Sequence, residues 1–237
     1  MTAVQPRLRK FAGPNGSGKS TLKEVLDPDW LGIYVNADDI EADIRRHGFL
    51  ALGDFGVEAT EDELHAFFAD SALLRKSDLL EAALKIRLQD GRVVFGAVEV
   101  NSYFSSVLVD FIRHDLVRRK VSFTFETVMS AHAKVEFFCK AREQGFRTYL
   151  YYVATEDPEI NVSRVAHRVS MGKHDVPREK IVERYHRSLD YLADAVMCSD
   201  RAYVFDNSTA ERVWVAEITD GADLEMKTDS MPYWFKT

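Results

Sequence analysis

Near its start the chain reads Gly13-Pro14-Asn15-Gly16-Ser17-Gly18-Lys19-Ser20-Thr21, the pattern G-x-x-x-x-G-K-S-T, directly after the run Arg7-Leu8-Arg9-Lys10-Phe11-Ala12. Nothing else in the sequence narrows the fold as much. Glycines at these spacings let successive backbone N–H groups curl around phosphate oxygens. A lysine at the sixth step reaches the β/γ oxygens, and the next hydroxyl, Ser20, suits Mg²⁺. A helix opening at this point would turn its positive end toward the same anion. The motif therefore predicts a bound nucleoside triphosphate at the carboxyl end of a first strand over about 7–12, with a short helix over Ser20–Leu26 ended by Asp27-Pro28.

A chain of 237 residues, 46% of them hydrophobic and 29% charged, can bury the core of an ordinary soluble globule. Its net charge of −7 repels nucleic acid and anionic membranes in bulk, so an anionic substrate needs a local basic cluster. The N-terminus runs straight into a strand pattern, and no apolar run approaches membrane-spanning length, which predicts a cytoplasmic protein. Cys139 and Cys198 sit in helix-like patterns without metal spacing and read as two reduced thiols on the core side.

Strand-like and helix-like runs alternate, which predicts an α/β fold with a parallel sheet flanked by helices. A strand over Ile33–Val35 closes on Asn36-Ala37-Asp38-Asp39, and a helix continues toward His47. Thr60-Glu61-Asp62-Glu63 has the form of a helix entry, with helical patterning to about Gln89. Asp90-Gly91 reads as a turn, Arg92–Val100 as a strand and Phe104–Arg118 as a helix. Val121–Phe125 alternates like a strand ending on Glu126-Thr127. A helix ends at Gly145, and a buried strand follows over Thr148–Ala154. Asp157-Pro158 predicts an N-cap followed by a first-turn proline. Another helix opens at Pro177, Ala202–Phe205 is a strand closing on Asp206-Asn207-Ser208, and a hairpin surrounds Asp220-Gly221. This organisation reads as one domain over 1–237, with a helical insertion at about 49–100 and a lid region at about 158–178.

Ligands of open parallel sheets sit beyond the carboxyl ends of the strands, so the strand-ending polar residues become site candidates. Phosphoryl transfer needs clamped phosphates, a carboxylate for the acceptor's proton, and cations over the moving group. Asp38 is placed to be that carboxylate, with helix capping as its structural alternative. Glu126 suits a substrate hydroxyl or the magnesium shell, or else a cap or an arginine partner, and Thr127 would line the pocket. Arg164 and Arg168 share one helix face near Met171-Gly172-Lys173-His174, a stretch suited to a lid that closes over phosphates. Arg178, Lys180, Arg184 and Arg187 extend that basic run. His65, His114 and His132 lack partners at ligand spacing and read as structural.

Taken together, Ala12–Thr21, Val35–Ile40, Ser122–Thr127, Arg164–Val169, Gly172–Pro177, Arg184–Leu189 and Asp206–Ser208 resemble the zeta-toxin family of P-loop kinases, in the family's order. The resemblance implies an ATP- and Mg²⁺-dependent kinase for a hydroxyl of a nucleotide sugar such as UDP-N-acetylglucosamine, held silent by a small helical antitoxin. It implies Gly13 to Thr21 around the ATP phosphates, with Lys19 catalytic and Ser20 on the metal. It also implies Asp38 as general base, Glu126, Thr127 and Arg184 on the substrate side, Arg164 and Arg168 as lid arginines, and Asn207 near the adenine. Two departures stand out: Lys173 replaces a common glycine, and 49–100 is long and carries no motif. A housekeeping kinase for another metabolite and an ATP-switched protein-binding module remain open alternatives at this point.

Overall fold

The computed structural model describes residues 5–24, 26–172 and 175–235. In chain order these form β1 (Arg7–Ala12), α1 (Pro28–Leu31), β2 (Ile33–Val35), α2 (Ala37–His47), β3 (Phe49–Ala51), α3 (Glu61–Asp70), α4 (Ala72–Lys76), α5 (Leu80–Ala83), β4 (Arg87–Gln89) and β5 (Arg92–Val94). They continue with α6 (Ser102–Arg118), β6 (Phe123–Thr127), α7 (His132–Glu143), β7 (Arg147–Ala154), α8 (Pro158–Ser170), α9 (Arg178–Asp190), α10 (Leu192–Met197), β8 (Arg201–Asp206), β9 (Val213–Thr219) and β10 (Asp223–Met226). The chain divides into two compact units, Met1–Gly32 with Ser122–Thr237, and Ile33–Val121.

In the first unit the strands lie side by side in the order β10-β9-β8-β7-β1-β6. β1 pairs in parallel with both β6 and β7, and β7 with β8, while β9 and β10 complete the sheet as an antiparallel hairpin. The α/β class with a C-terminal hairpin is thus present as expected. β7 reads as a near-continuous apolar run because such a strand is buried on both faces, whereas β1 buries Arg9 and Lys10 beside its apolar residues: Leu8, Phe11, Ala12, Leu150, Tyr152 and Val153 are all inaccessible to solvent. Asp157 caps α8 by accepting from Glu159 N at 2.8 Å, with Pro158 in the first turn. The parallel register brings the carboxyl ends of β1, β6, β7 and β8 to one edge. β1 is the central strand there, with later strands on either side, the place where such sheets bind ligands.

The second unit holds β2, α2, a small antiparallel sheet in the order β3-β5-β4, the helices α3 to α5, and the long α6. Asn36 caps α2 through its side chain, accepting from Asp38 N at 2.8 Å. Thr60 and Glu63 close a reciprocal capping box at the start of α3. Leu64, Phe68, Leu74, Phe104, Leu108 and Ile112 fill its interior.

Several expectations change. The helix over Ser20–Leu26 is instead a six-residue 3-10 segment, Lys19–Glu24, so little helix dipole backs the loop. Helical patterning to Gln89 breaks into three short helices followed by β4. The strand over Arg92–Val100 shrinks to β5, because Val98 N donates to Phe95 O in a turn. The helix from Pro177 divides at Tyr191 into α9 and α10. Cys139 and Cys198 are not free thiols but a disulfide, with Cα atoms 4.9 Å apart. They lie 59 positions apart in sequence, and only the packing of α7 against the turn after α10 brings them together. Among the described residues no helix is long and apolar enough to cross a membrane.

Candidate active site

The loop after β1 wraps tightly because its glycines face neighbouring atoms, not space. A Cβ on Gly13 would lie 2.0 Å from the Val153 carbonyl oxygen, at φ 139°. At Gly18, φ 95°, it would lie 2.3 Å from Asn207 Nδ2. Both positions combine a left-handed backbone with no room for a side chain, so glycine is required by local sterics. Inside the curl, Lys19 is buried and its Nζ donates to Pro14 O at 2.8 Å. Thr21 Oγ1 donates to Gly18 O at 2.8 Å. Ser17 is fully buried, and its Oγ and the Asn15 Oδ1 have no hydrogen-bond partner among the described residues. Buried polar atoms without partners at the centre of such a cradle fit a site built for a polar ligand.

The neighbouring strand ends supply the surrounding groups. At the end of β6, the Glu126 carboxylate accepts from Ser20 Oγ, with both oxygens 3.1 Å away. A hydroxyl and a carboxylate converging in this way are hard oxygen ligands of the kind Mg²⁺ takes. That cation keeps waters and phosphate oxygens for its other positions. Thr127, next along, accepts from Met129 N at 3.2 Å and shapes the turn leaving β6.

Beyond β7, Asn161 on α8 is fully buried and donates to Asn15 O at 2.5 Å, holding the tip of the loop. Tyr185 of α9 donates to Thr155 O at 2.6 Å, and burial pushes its hydroxyl up to about 12, so it stays a fixed donor at neutral pH. Beyond β8, Asn207 is held by its own N–H on Ala154 O, and its Nδ2 donates to Ser17 O at 2.8 Å. Arg164 reaches across from α8 to donate to Asn207 O at 2.8 Å. The β8 end is fixed in turn by Trp234, whose Nε1 donates to Asp206 Oδ2 at 2.7 Å.

The structure thus gathers Gly13 to Thr21, Glu126, Arg164 and Asn207 into one contiguous set within the first unit. Arg168 lies one turn beyond Arg164 on α8. Arg184 is half-buried on α9 and makes no hydrogen bond or ion pair among the described residues. Arg178 and Arg187 are engaged elsewhere, on Glu159 and Glu183. Lys173 and His174, in the predicted lid, lie outside the described residues. Asp38 belongs to the second unit, exposed in the first turn of α2. Capping is not its role, since Asn36 fills it. His65 and His114 each place a ring nitrogen on a backbone carbonyl, of Ile86 and Asp110.

Two neighbours of the loop escaped the sequence reading. Asn161 had a faint signal, an amide three residues before Arg164 on the same helix. Arg212, which donates to Thr21 Oγ1, had none, because it lies in an irregular stretch between β8 and β9.

No protein-family model matches the chain. A Haemophilus influenzae protein described only as uncharacterized is 28% identical over 175 residues, covering 74% of this chain and 89% of that protein. Among solved structures, a chain of the AvrRxo1-ORF1:-ORF2 complex with ATP aligns at a TM-score of 0.54 and 14% identity, covering 95% of this chain. The same complex with sulphate ions aligns at 0.53 and 14% identity, again over 95% of this chain. The present chain spans 61% and 62% of the lengths of those two matched chains. At such identities the likeness is one of fold, the α/β arrangement described above.

Proposed function

We propose that this protein is an ATP-dependent kinase of zeta-toxin type, acting in the cytoplasm on a hydroxyl of a nucleotide sugar such as UDP-N-acetylglucosamine. The observation that carries the reading is the pairing of Ser20 with Glu126 beside the buried Lys19, inside a loop whose glycines admit no side chain. The ATP-bound AvrRxo1 complex, which shares the fold, supports a nucleotide as the ligand.

In this account ATP supplies the phosphoryl group; Ser20 with Glu126 would hold Mg²⁺, which would supply charge neutralisation of the phosphates. Lys19 leaves Pro14 O to take the β/γ oxygens. Arg164 and Arg168 hold charge on the moving group and exclude water from it. Asp38 accepts the acceptor's proton as the acceptor oxygen bonds to the γ-phosphorus. The bond between that phosphorus and the bridging oxygen breaks, and ADP leaves. Glu126, Thr127 and Arg184 orient the acceptor, and Asn207 borders the base. Little covalent chemistry falls to the protein, so positioning and charge carry the rate. AvrRxo1-ORF1 is seen with a second protein, and a small helical antitoxin is the partner we assign here.

The test is mass spectrometry of UDP-N-acetylglucosamine incubated with ATP, Mg²⁺ and the protein, with Lys19→Ala as the blank. A product heavier by one phosphate, absent from the blank, is expected. ATP turnover with no phosphorylated sugar nucleotide would remove the acceptor, and no turnover at all would remove the kinase.

A further inference from the structure

The stretch between β8 and β9 clasps the phosphate loop at two points. At its start Asn207 Nδ2 donates to Ser17 O at 2.8 Å. At its end the Arg212 guanidinium donates to Thr21 Oγ1. Between them, Ser208 N is tied to Asp206 Oδ1 at 2.9 Å and Ser208 Oγ accepts from Glu156 N at 2.8 Å, so the clasp is anchored on the sheet.

Arg212 is poorly provided for as a structural staple. It forms no ion pair among the described residues. Its Nε is buried without an acceptor among the described residues. Burial pulls its guanidinium below the ordinary value, with the charge of Glu24 opposing that pull. A cation taken partly out of water and given a neutral hydroxyl is left short of negative charge, which costs stability unless an anion completes it. The fork of donors on a guanidinium suits phosphate oxygens better than a single hydroxyl. Location narrows which phosphate. Lys19 serves the β/γ end of a triphosphate in loops of this kind, while the loop's own N–H groups cradle the α/β pair. Arg212 is fastened to Thr21, two residues past Lys19, and not to Lys19 or Pro14.

We infer that Arg212 is a phosphate-binding residue for the α/β-diphosphate shared by ATP and ADP, with the Thr21 hydroxyl as its resting partner. The inference rests on the nucleotide-binding reading above and adds a cation that the motif does not contain. It gives the protein a grip on product as well as substrate, independent of the γ-phosphate.

Calorimetry with Mg²⁺ and each of ATP, ADP and inorganic diphosphate tests it on the wild type, Arg212→Gln and Arg212→Ala. The glutamine variant keeps a donor for Thr21 and loses only the charge. Both variants are expected to weaken all three ligands alike, by roughly tenfold to a hundredfold, the range for a charged hydrogen bond. The affinities should also lose part of their salt dependence, which a neutral staple would not change. Wild-type affinity in Arg212→Gln, a loss confined to ATP, or a loss that spares diphosphate would each overturn the inference. Should the wild type take up none of the three, the nucleotide reading itself falls. A second readout needs no variant. MgADP should shield the peptide carrying Arg212 of the wild type from an arginine-selective dicarbonyl reagent, and unshielded modification would refute the contact.

Discussion

At the scale of single residues, the account turns on a few side chains with separable effects. Lys19→Ala and Asp38→Asn are each expected to lower turnover by about two orders of magnitude or more, with circular dichroism unchanged. Full activity in Asp38→Asn would remove the base from the scheme. Glu126→Gln keeps an oxygen near Ser20 but drops the charge. The magnesium concentration for half-maximal activity should rise about tenfold or more, the usual cost of weakening a metal's surroundings. An unchanged magnesium titration would leave Glu126 with the acceptor alone. The loop residues were legible in the sequence because their spacing is itself the chemistry. Arg212 and Asn161 were not, since each reaches the loop only once β7, β8 and their following segments have been laid beside β1.

Elements respond to different changes. Gly13→Ala would drive a Cβ into the Val153 carbonyl, a backbone atom that cannot turn aside. The expected cost is about 3 kcal/mol or more, read as a lower denaturation midpoint, not merely as weaker nucleotide binding. In the second unit, Thr60→Ala removes the hydroxyl that accepts from Glu63 N at 3.3 Å and should cost about 1 kcal/mol in urea unfolding. The bonds from Thr60 also hold the Glu63 carboxyl below its usual value. Because the folded group is the stronger acid, that support is complete at neutral pH and is lost as pH falls through the lowered value. Local signals such as the capping box, the Asp157-Pro158 entry and the Asp220-Gly221 hairpin could be read directly, since each is decided within a few residues. Lys85–Gln89 misled because its long straight side chains favour helix in isolation, and pairing with β5 across Asp90-Gly91 overrides that preference. The segment after Lys19 also departs from expectation: the motif predicts a short helix over Ser20–Leu26, and the chain makes a 3-10 segment over Lys19–Glu24.

For the molecule as a whole, a parallel sheet could be inferred, but its strand order and the cross-link could not. The Cys139–Cys198 disulfide fastens α7 to the turn before β8, and Arg142 lies against the same corner, donating to Met197 O at 3.0 Å and pairing with Asp200 at 3.3 Å. Closing a loop with 59 positions of separation corresponds to about 4 kcal/mol in the chain-entropy treatment. Reduction should therefore lower the melting temperature by roughly 8 °C or more. A melt unmoved by reductant would show that the corner is held by its ion pairs alone. The central claim is that the loop from Gly13 to Thr21 grips a triphosphate, and calorimetry with MgATP addresses it most directly. One saturable, magnesium-dependent site in the wild type, weakened at least tenfold in Lys19→Ala, is the predicted result. No uptake by the wild type, or equal uptake by both proteins, would contradict it.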